Sequence, residues 1–142
     1  MTASRTELAT RLAAYDRLLE VGVGHRPEVA AALVDAGASV TAIDVVDATV
    51  PDGVAFVRDD VVARRDAIHA GEDPPAHYRV DAIYGLNLPA ELQRPARDVA
   101  RAVGADFLFT TLGFEEPTLP VERESVGRET LYVAATGPSD RR

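Results

Sequence analysis

The pattern of hydrophobic and polar positions changes its period repeatedly along the chain. Leu8 and Leu12 recur at a helical interval and predict a first helix that ends near Asp16. Ser4 and Glu7 have the spacing of a capping box, which would begin that helix. Short apolar runs then predict strands over 17–23, 39–44, 54–57, 80–84 and 106–110. The intervening segments predict helices over 27–36, 60–70 and 89–103. In the last of these, Pro95 predicts a separate initial turn before the main helix.

The last part of the chain has a different pattern. Extended runs over 119–124 and 129–135 flank the polar segment 125–128, which predicts an antiparallel hairpin. The preceding alternation of strands and helices with short connections predicts a three-layer α/β fold with an open, mostly parallel sheet. A length of 142 residues suits one domain over 1–142.

Composition narrows the class of protein. Hydrophobic residues make up 46% of the chain, enough for a core without disulfides, and there is no cysteine. No apolar run approaches the length that spans a bilayer, so we expect a soluble, cytoplasmic protein. The net charge is −8, which argues against non-specific binding to nucleic acids or membrane surfaces.

All 15 basic residues are arginine. An acidic, lysine-free chain is similar in composition to proteins of salt-loving archaea, whose surface carboxylates stay hydrated in concentrated salt. A GC-rich genome would also favour arginine over lysine, although it would not explain the acidity.

A candidate ligand site follows the first predicted strand. Gly22 and Gly24 lie between this strand and the helix that begins near Pro27, where glycines allow a ligand to approach the backbone. Asp44 ends the second strand 20 residues after Gly24, and a carboxylate there can accept both hydroxyls of an adenosine ribose. The alternatives are a tight turn without a ligand and a carboxylate that only caps or solvates a turn.

Two classes of ligand share this geometry. A dinucleotide-binding turn has a third glycine at the position of Pro27 and an aliphatic residue at the position of Glu20. A carboxylate at position 20 would repel a pyrophosphate but could hold an α-ammonium group. An NAD-binding protein is therefore the weaker of these two interpretations.

The segment 20–24, Glu-Val-Gly-Val-Gly, resembles the first motif of Rossmann-like S-adenosylmethionine-dependent methyltransferases. The resemblance implies that Glu20 orients the amino-acid end of the cofactor S-adenosylmethionine and that Asp44 holds its ribose. It also implies that Asp60 lies beside the adenine, and the segment 80–84 is similar to the fourth-strand signature of the same superfamily. Arg26 departs from this pattern, which often has a third glycine there.

At closer range the whole chain resembles a small, uncharacterised archaeal family of truncated Rossmann-like proteins. The shared features are the glycine turn, a helix that begins with proline, and a segment after the fourth strand that is here 89–93, Pro-Ala-Glu-Leu-Gln.

Asn87 is the candidate for the acceptor side of methyl transfer. Amino-group methyltransferases carry Asn or Asp, two prolines and an aromatic residue at this place, whereas the segment 87–90 keeps the asparagine and one proline and lacks the aromatic. Only 32 residues follow the fifth predicted strand, so a protein partner, another subunit or the substrate itself would have to complete a substrate site.

The remaining chemistry-bearing residues carry less information. His25, His69 and His77 lack the spacing of metal ligands. The arginines at 94, 97 and 101 share a helical face, which is either solvated or an RNA-contacting stripe.

The first hypothesis is therefore a methyltransferase-like protein that binds S-adenosylmethionine, and the alternative is a non-catalytic nucleotide-binding or protein-interaction module.

Overall fold

The computed structural model describes residues 3–22 and 27–134. In these two stretches the helices are α1 (Ala3–Leu12), α2 (Pro27–Asp35), α3 (Val61–His69) and α4 (Ala90–Val103), with one 3-10 turn at Ala76–Tyr78. The strands are β1 (Arg17–Val21), β2 (Ser39–Asp44), β3 (Ala55–Arg58), β4 (Ala82–Gly85), β5 (Asp106–Phe109), β6 (Val121–Val126) and β7 (Glu129–Ala134). Apart from α1, the described ends lie within two residues of the predicted ones.

The strands form one sheet in the order β3-β2-β1-β4-β5-β7-β6. The first five strands in this order are parallel, and β7 runs antiparallel to both β5 and β6. The predicted α/β fold and its C-terminal hairpin are therefore confirmed. The described stretch 110–120, which connects β5 to β6, contains no helix.

Helices cover both faces of the sheet because successive residues of each strand point to opposite sides. Leu18 packs in one apolar cluster with Leu12 of α1 and Leu33 of α2. Leu19, the next residue of β1, packs in the other cluster with Val99 of α4. This produces the predicted three layers. Among the described residues, no helix has both the length and the apolar composition needed to cross a bilayer.

The predicted capping box at the start of α1 is wrong. Ser4 lies inside the helix, and its hydroxyl accepts a hydrogen bond of 2.8 Å from the backbone N–H of Arg128. A Cβ added at Gly127 would stand 2.9 Å from the Cα of Ser4, so the β6–β7 turn packs directly against α1. The helix also ends at Leu12 and not at Asp16.

The predicted separate turn before Pro95 is also wrong. Helix α4 runs without interruption through Pro95, which is buried together with Ala96 and Val99. Proline at this position removes one backbone hydrogen bond. Burial of the apolar face of α4 against the sheet offsets that loss.

Candidate functional site

The candidate site lies where the strand order reverses, between β1 and β4. In open α/β sheets, ligands bind beyond the carboxyl ends of the strands at such a point. We call this side of the sheet the carboxyl edge. Gly22 follows β1, Asp44 ends β2, Asp60 follows β3 and Asn87 follows β4, so these four predicted residues belong to the same edge. Gly24, with His25 and Arg26, lies outside the described residues.

Gly22 has a backbone conformation that favours glycine. Its φ is 82°, and its N–H donates a hydrogen bond of 2.8 Å to the carbonyl of Ile43 on the neighbouring strand. A Cβ added at Gly22 would meet no atom within 4 Å among the described residues. In the described part of the chain, no atom therefore fills the space beside the Cα of Gly22.

The carboxylate of Asp44 is oriented by its own backbone. Its Oδ1 accepts hydrogen bonds from the N–H groups of Val45 at 2.7 Å and Val46 at 3.4 Å. Such local bonds are typical of a turn. Asp44 therefore stabilises the turn after β2, whether or not it also binds a ligand. Both valines are exposed, which places an apolar surface next to the carboxylate.

Asp60 is the N-cap of α3. Its Oδ1 accepts hydrogen bonds from the N–H groups of Val62 at 2.9 Å and Ala63 at 3.4 Å. The side chain is exposed at the carboxyl edge, on the side of the sheet that ends with β3. Asp60 thus has a structural role that the sequence analysis did not assign to it.

Glu20, in β1 two residues before Gly22, is buried, with 3% of its surface exposed. It lies opposite Tyr84 in the pairing of β1 with β4, and the Tyr84 hydroxyl donates a hydrogen bond of 3.0 Å to its Oε1. Burial raises the pKa of the Glu20 carboxyl to about 8, against the opposing effect of the Tyr84 hydrogen bond. At pH 7 this carboxyl is therefore mostly neutral, which the sequence alone could not indicate.

Asn87 lies in the turn between β4 and α4. Among the described residues other than glycine, it alone has a positive φ, of 53°. Its backbone N–H donates a hydrogen bond of 2.8 Å to Oγ1 of Thr110, and the next N–H, of Leu88, donates at 2.8 Å to the carbonyl of Thr110. Thr110 itself is buried.

The sequence analysis missed a polar cluster beside Asp60. Oδ2 of Asp59 lies 2.9 Å from Nε2 of His77, and Oδ1 lies 3.5 Å from Nη2 of Arg64. Burial acts to raise the pKa of Asp59, but the hydrogen bonds from His77 and the Asp60 N–H, with the charge of Arg64, outweigh it and lower the pKa. Nothing in the spacing of these residues indicates this contact. Among the described residues no third metal-ligating side chain joins it.

Comparison with known proteins places the chain in a family. The model of an uncharacterised protein family, UPF0146, matches residues 2–136. A UPF0146 protein of Halobacterium salinarum is 48% identical over 128 residues, which cover 89% of this chain and 93% of the relative. One from Archaeoglobus fulgidus is 36% identical over 96 residues, which cover 68% of each chain.

Solved structures with a similar fold are methyltransferases. The S-adenosylmethionine-dependent methyltransferase of Agrobacterium tumefaciens matches 94% of this chain with a TM-score of 0.57 and 13% identity. The methyltransferase CcbJ of Streptomyces caelestis matches 93% of it with a TM-score of 0.53 and 18% identity. At this identity the comparison shows a methyltransferase-like Rossmann fold. The chain spans about three-fifths of the length of these proteins, 62% and 61%.

Proposed function

Since this chain belongs to the uncharacterised protein family UPF0146 and has a methyltransferase-like Rossmann fold, we propose that it binds an adenosyl ligand at the carboxyl edge. The ligand would be S-adenosylmethionine or its demethylated product, S-adenosylhomocysteine. The observation that carries this proposal is the placement of Gly22, Asp44 and Asp60 at the carboxyl ends of three neighbouring strands, beside the reversal of strand order.

The lack of described atoms around the Cα of Gly22 supports close approach of the ligand to the backbone. A side chain at this position would occupy space that no described atom fills, and it would have to adopt a φ of 82°. The sugar and the amino-acid chain of the ligand would lie across this turn, between the ends of β1 and β4.

Asp44 would bind the ribose. Its carboxylate is held in a fixed orientation by the N–H groups of Val45 and Val46, so binding would cost little side-chain entropy. The two ribose hydroxyls would donate to the oxygens of this carboxylate. The exposed side chains of the same two valines would offer apolar contact to the adenine, and Asp60 would lie at its far side.

Glu20 would favour an amino-acid ligand over a dinucleotide, to a degree that depends on pH. An ionised Glu20 attracts an α-ammonium group, whereas it repels a pyrophosphate. Because the pKa of Glu20 is about 8, binding of the ammonium at pH 7 would release a proton from the carboxyl. Between pH 6 and 8 the preference for the adenosyl amino acid over NAD should therefore grow.

Methyl transfer is the reaction that this site would support. Bound S-adenosylmethionine would supply an electrophilic methyl group. The task of the chain would be to hold the acceptor atom in line with that group, and Asn87 is the polar residue at the end of β4 suited to orient an acceptor. A protein partner, a second copy of this chain or a large substrate would complete the acceptor site.

A non-catalytic interaction module is the second candidate function. Phe114, in the connection from β5 to β6, is fully exposed, and Leu112, two residues earlier, is 60% exposed. Larger exposed apolar patches are a feature of interaction surfaces, and these two side chains are where a partner would bind. The chain would then keep the fold and the adenosyl site but act through a partner.

Native mass spectrometry tests the proposed ligand directly. Protein purified without denaturation and then incubated with equal excesses of S-adenosylhomocysteine and NAD should carry the mass of one S-adenosylhomocysteine. Asp44→Ala should lose that adduct. Asp47→Ala, in the same loop, should keep the adduct, because the Asp47 side chain is solvent-exposed. Its Oδ1 lies 4.0 Å from Nη1 of Arg58. An NAD adduct, or no adduct, contradicts the proposal.

A further inference from the structure

The turn after β4 holds Asn87 in an unusual conformation. A φ of 53° lies in the left-handed region, which residues other than glycine seldom occupy, although asparagine tolerates it better than most. Such a conformation persists where the surrounding structure imposes it, and it is enriched at ligand-binding sites. The contacts of Asn87 show what imposes it here.

Thr110 contacts this turn through its hydroxyl and both of its backbone polar groups. Its N–H donates to the carbonyl of Gly85 at 3.0 Å, and its carbonyl accepts from the N–H of Leu88 at 2.8 Å. Both bonds continue the pairing of β5 with β4, and any residue other than proline at position 110 could form them. The third bond, from the Asn87 N–H to Oγ1 at 2.8 Å, requires a hydroxyl.

The rest of the turn is fixed by packing. A Cβ added at Gly85 would stand 2.8 Å from Cδ1 of Leu88, which is itself buried, so Leu88 closes the turn against the end of β4. The side chain of Gln93, fully buried, donates a hydrogen bond of 3.3 Å to the Leu88 carbonyl. Asn87 therefore lies between fixed neighbours, and its N–H is bound to the Thr110 hydroxyl.

We infer that Thr110 is the positioning residue of the acceptor side, because its buried hydroxyl holds Asn87 in the left-handed conformation at the end of β4. This inference rests on the proposed function, which places the reacting methyl group at that edge. Thr110 would act through Asn87 and would not touch the adenosyl ligand. Valine has nearly the same shape as threonine and suits a strand end, so the choice of threonine is explained by the hydroxyl.

Three variants test the inference by NMR. Thr110→Val removes the hydroxyl at nearly constant volume, and Thr110→Ser restores it. Thr111→Val is the matched control, because the Thr111 hydroxyl donates to the Glu115 carbonyl at 2.7 Å in the next turn. In Thr110→Val the Asn87 N–H should exchange with solvent about tenfold faster than in wild type. In Thr110→Ser and Thr111→Val it should exchange at the wild-type rate.

Addition of S-adenosylhomocysteine separates a positioning role from a purely structural one. In wild type and Thr110→Ser the ligand should shift the resonance of the Asn87 side-chain amide. In Thr110→Val it should bind with similar affinity but no longer cause that shift.

Two results would overturn different claims. Equal exchange of the Asn87 N–H in Thr110→Val and Thr111→Val overturns the inference about Thr110, whatever the ligand does. If the ligand shifts no resonance of the wild-type protein, the proposed function fails, and the exchange rates still decide whether Thr110 holds Asn87.

Discussion

The hydroxyl of Tyr84 donates a hydrogen bond of 3.0 Å to the buried Oε1 of Glu20, across the two strands between which the strand order reverses. Burial also raises the pKa of Tyr84, so the phenol keeps its proton and remains the donor. The carboxyl of Glu20, two residues before Gly22, is therefore mostly neutral at pH 7 and ionises near pH 8.

Glu20→Gln should stabilise the protein at alkaline pH. Between the value of 4.5 for an exposed glutamate and about 8, folded Glu20 keeps a proton that the unfolded chain has released. The unfolding free energy therefore falls as pH rises, by up to about 1.4 kcal/mol per pH unit. Glutamine retains the oxygen that accepts from Tyr84 and does not titrate, so this loss should disappear.

Denaturant unfolding of wild type and Glu20→Gln at pH 5 and pH 8 measures the effect. Glu7→Gln is the control, because Glu7 is exposed on α1. Parallel loss of stability in wild type and Glu20→Gln between the two pH values would show that folding does not raise the pKa of Glu20.

Binding of S-adenosylhomocysteine should release a proton near neutral pH. The α-ammonium group favours ionised Glu20, which at pH 7 is mostly protonated. Affinity should therefore rise between pH 6 and 8, by at most about tenfold per pH unit. Titration calorimetry in two buffers with different ionisation enthalpies counts the protons. Glu20→Gln should release none, and proton release that persists in this variant would assign it to another group.

Asp59→Asn should destabilise the protein at pH 7. The carboxylate of Asp59 accepts from His77, and its lowered pKa means that its contribution is present above the pKa of the unfolded carboxyl and is lost as pH falls. Loss of the charge in this partly buried cluster should cost about 1–3 kcal/mol at pH 7. The difference from wild type should shrink below pH 4, as unfolding curves would show. A constant difference would mean that the charge is not what stabilises the cluster.

Molar salt should stabilise the fold. Eight excess negative charges repel one another, and at 1 M salt the Debye length falls to about 3 Å, which screens this repulsion. The melting temperature should be higher in molar KCl than in dilute buffer. An equal or lower melting temperature in KCl would contradict the interpretation of the acidic composition as an adaptation to salt.

The sequence predicts the elements well because each carries a local signal. Gly104 ends α4 in the left-handed conformation, as expected of a glycine at a helix end, and the apolar runs of β1 and β5 indicate strands covered on both faces. The contacts that complete the carboxyl edge carry no such signal. Asp59 and His77 are 18 residues apart, and Asn87 and Thr110 are 23 residues apart, so only the folded topology brings each pair together.

The roles of single residues are harder to predict, because they depend on contacts between residues that are far apart in the sequence. Ser4 matches a capping box locally, yet its hydroxyl bonds to Arg128, 124 residues away. Glu20 matches a charged motif position, yet its burial suppresses the charge at neutral pH. A local pattern identifies the residue type, whereas its protonation and its partner depend on the tertiary environment.

The measurement that tests the central claim most directly is calorimetric titration of S-adenosylhomocysteine and NAD into wild type and Asp44→Ala. Charge-assisted hydrogen bonds contribute about 1.5–3 kcal/mol each, so loss of the Asp44 carboxylate should weaken S-adenosylhomocysteine binding about tenfold to a hundredfold. Asp44→Asn should bind with intermediate affinity, and Asp47→Ala should bind like wild type. The account predicts tighter binding of S-adenosylhomocysteine than of NAD to wild type. Tighter binding of NAD, or equal affinity of wild type and Asp44→Ala for S-adenosylhomocysteine, would contradict it.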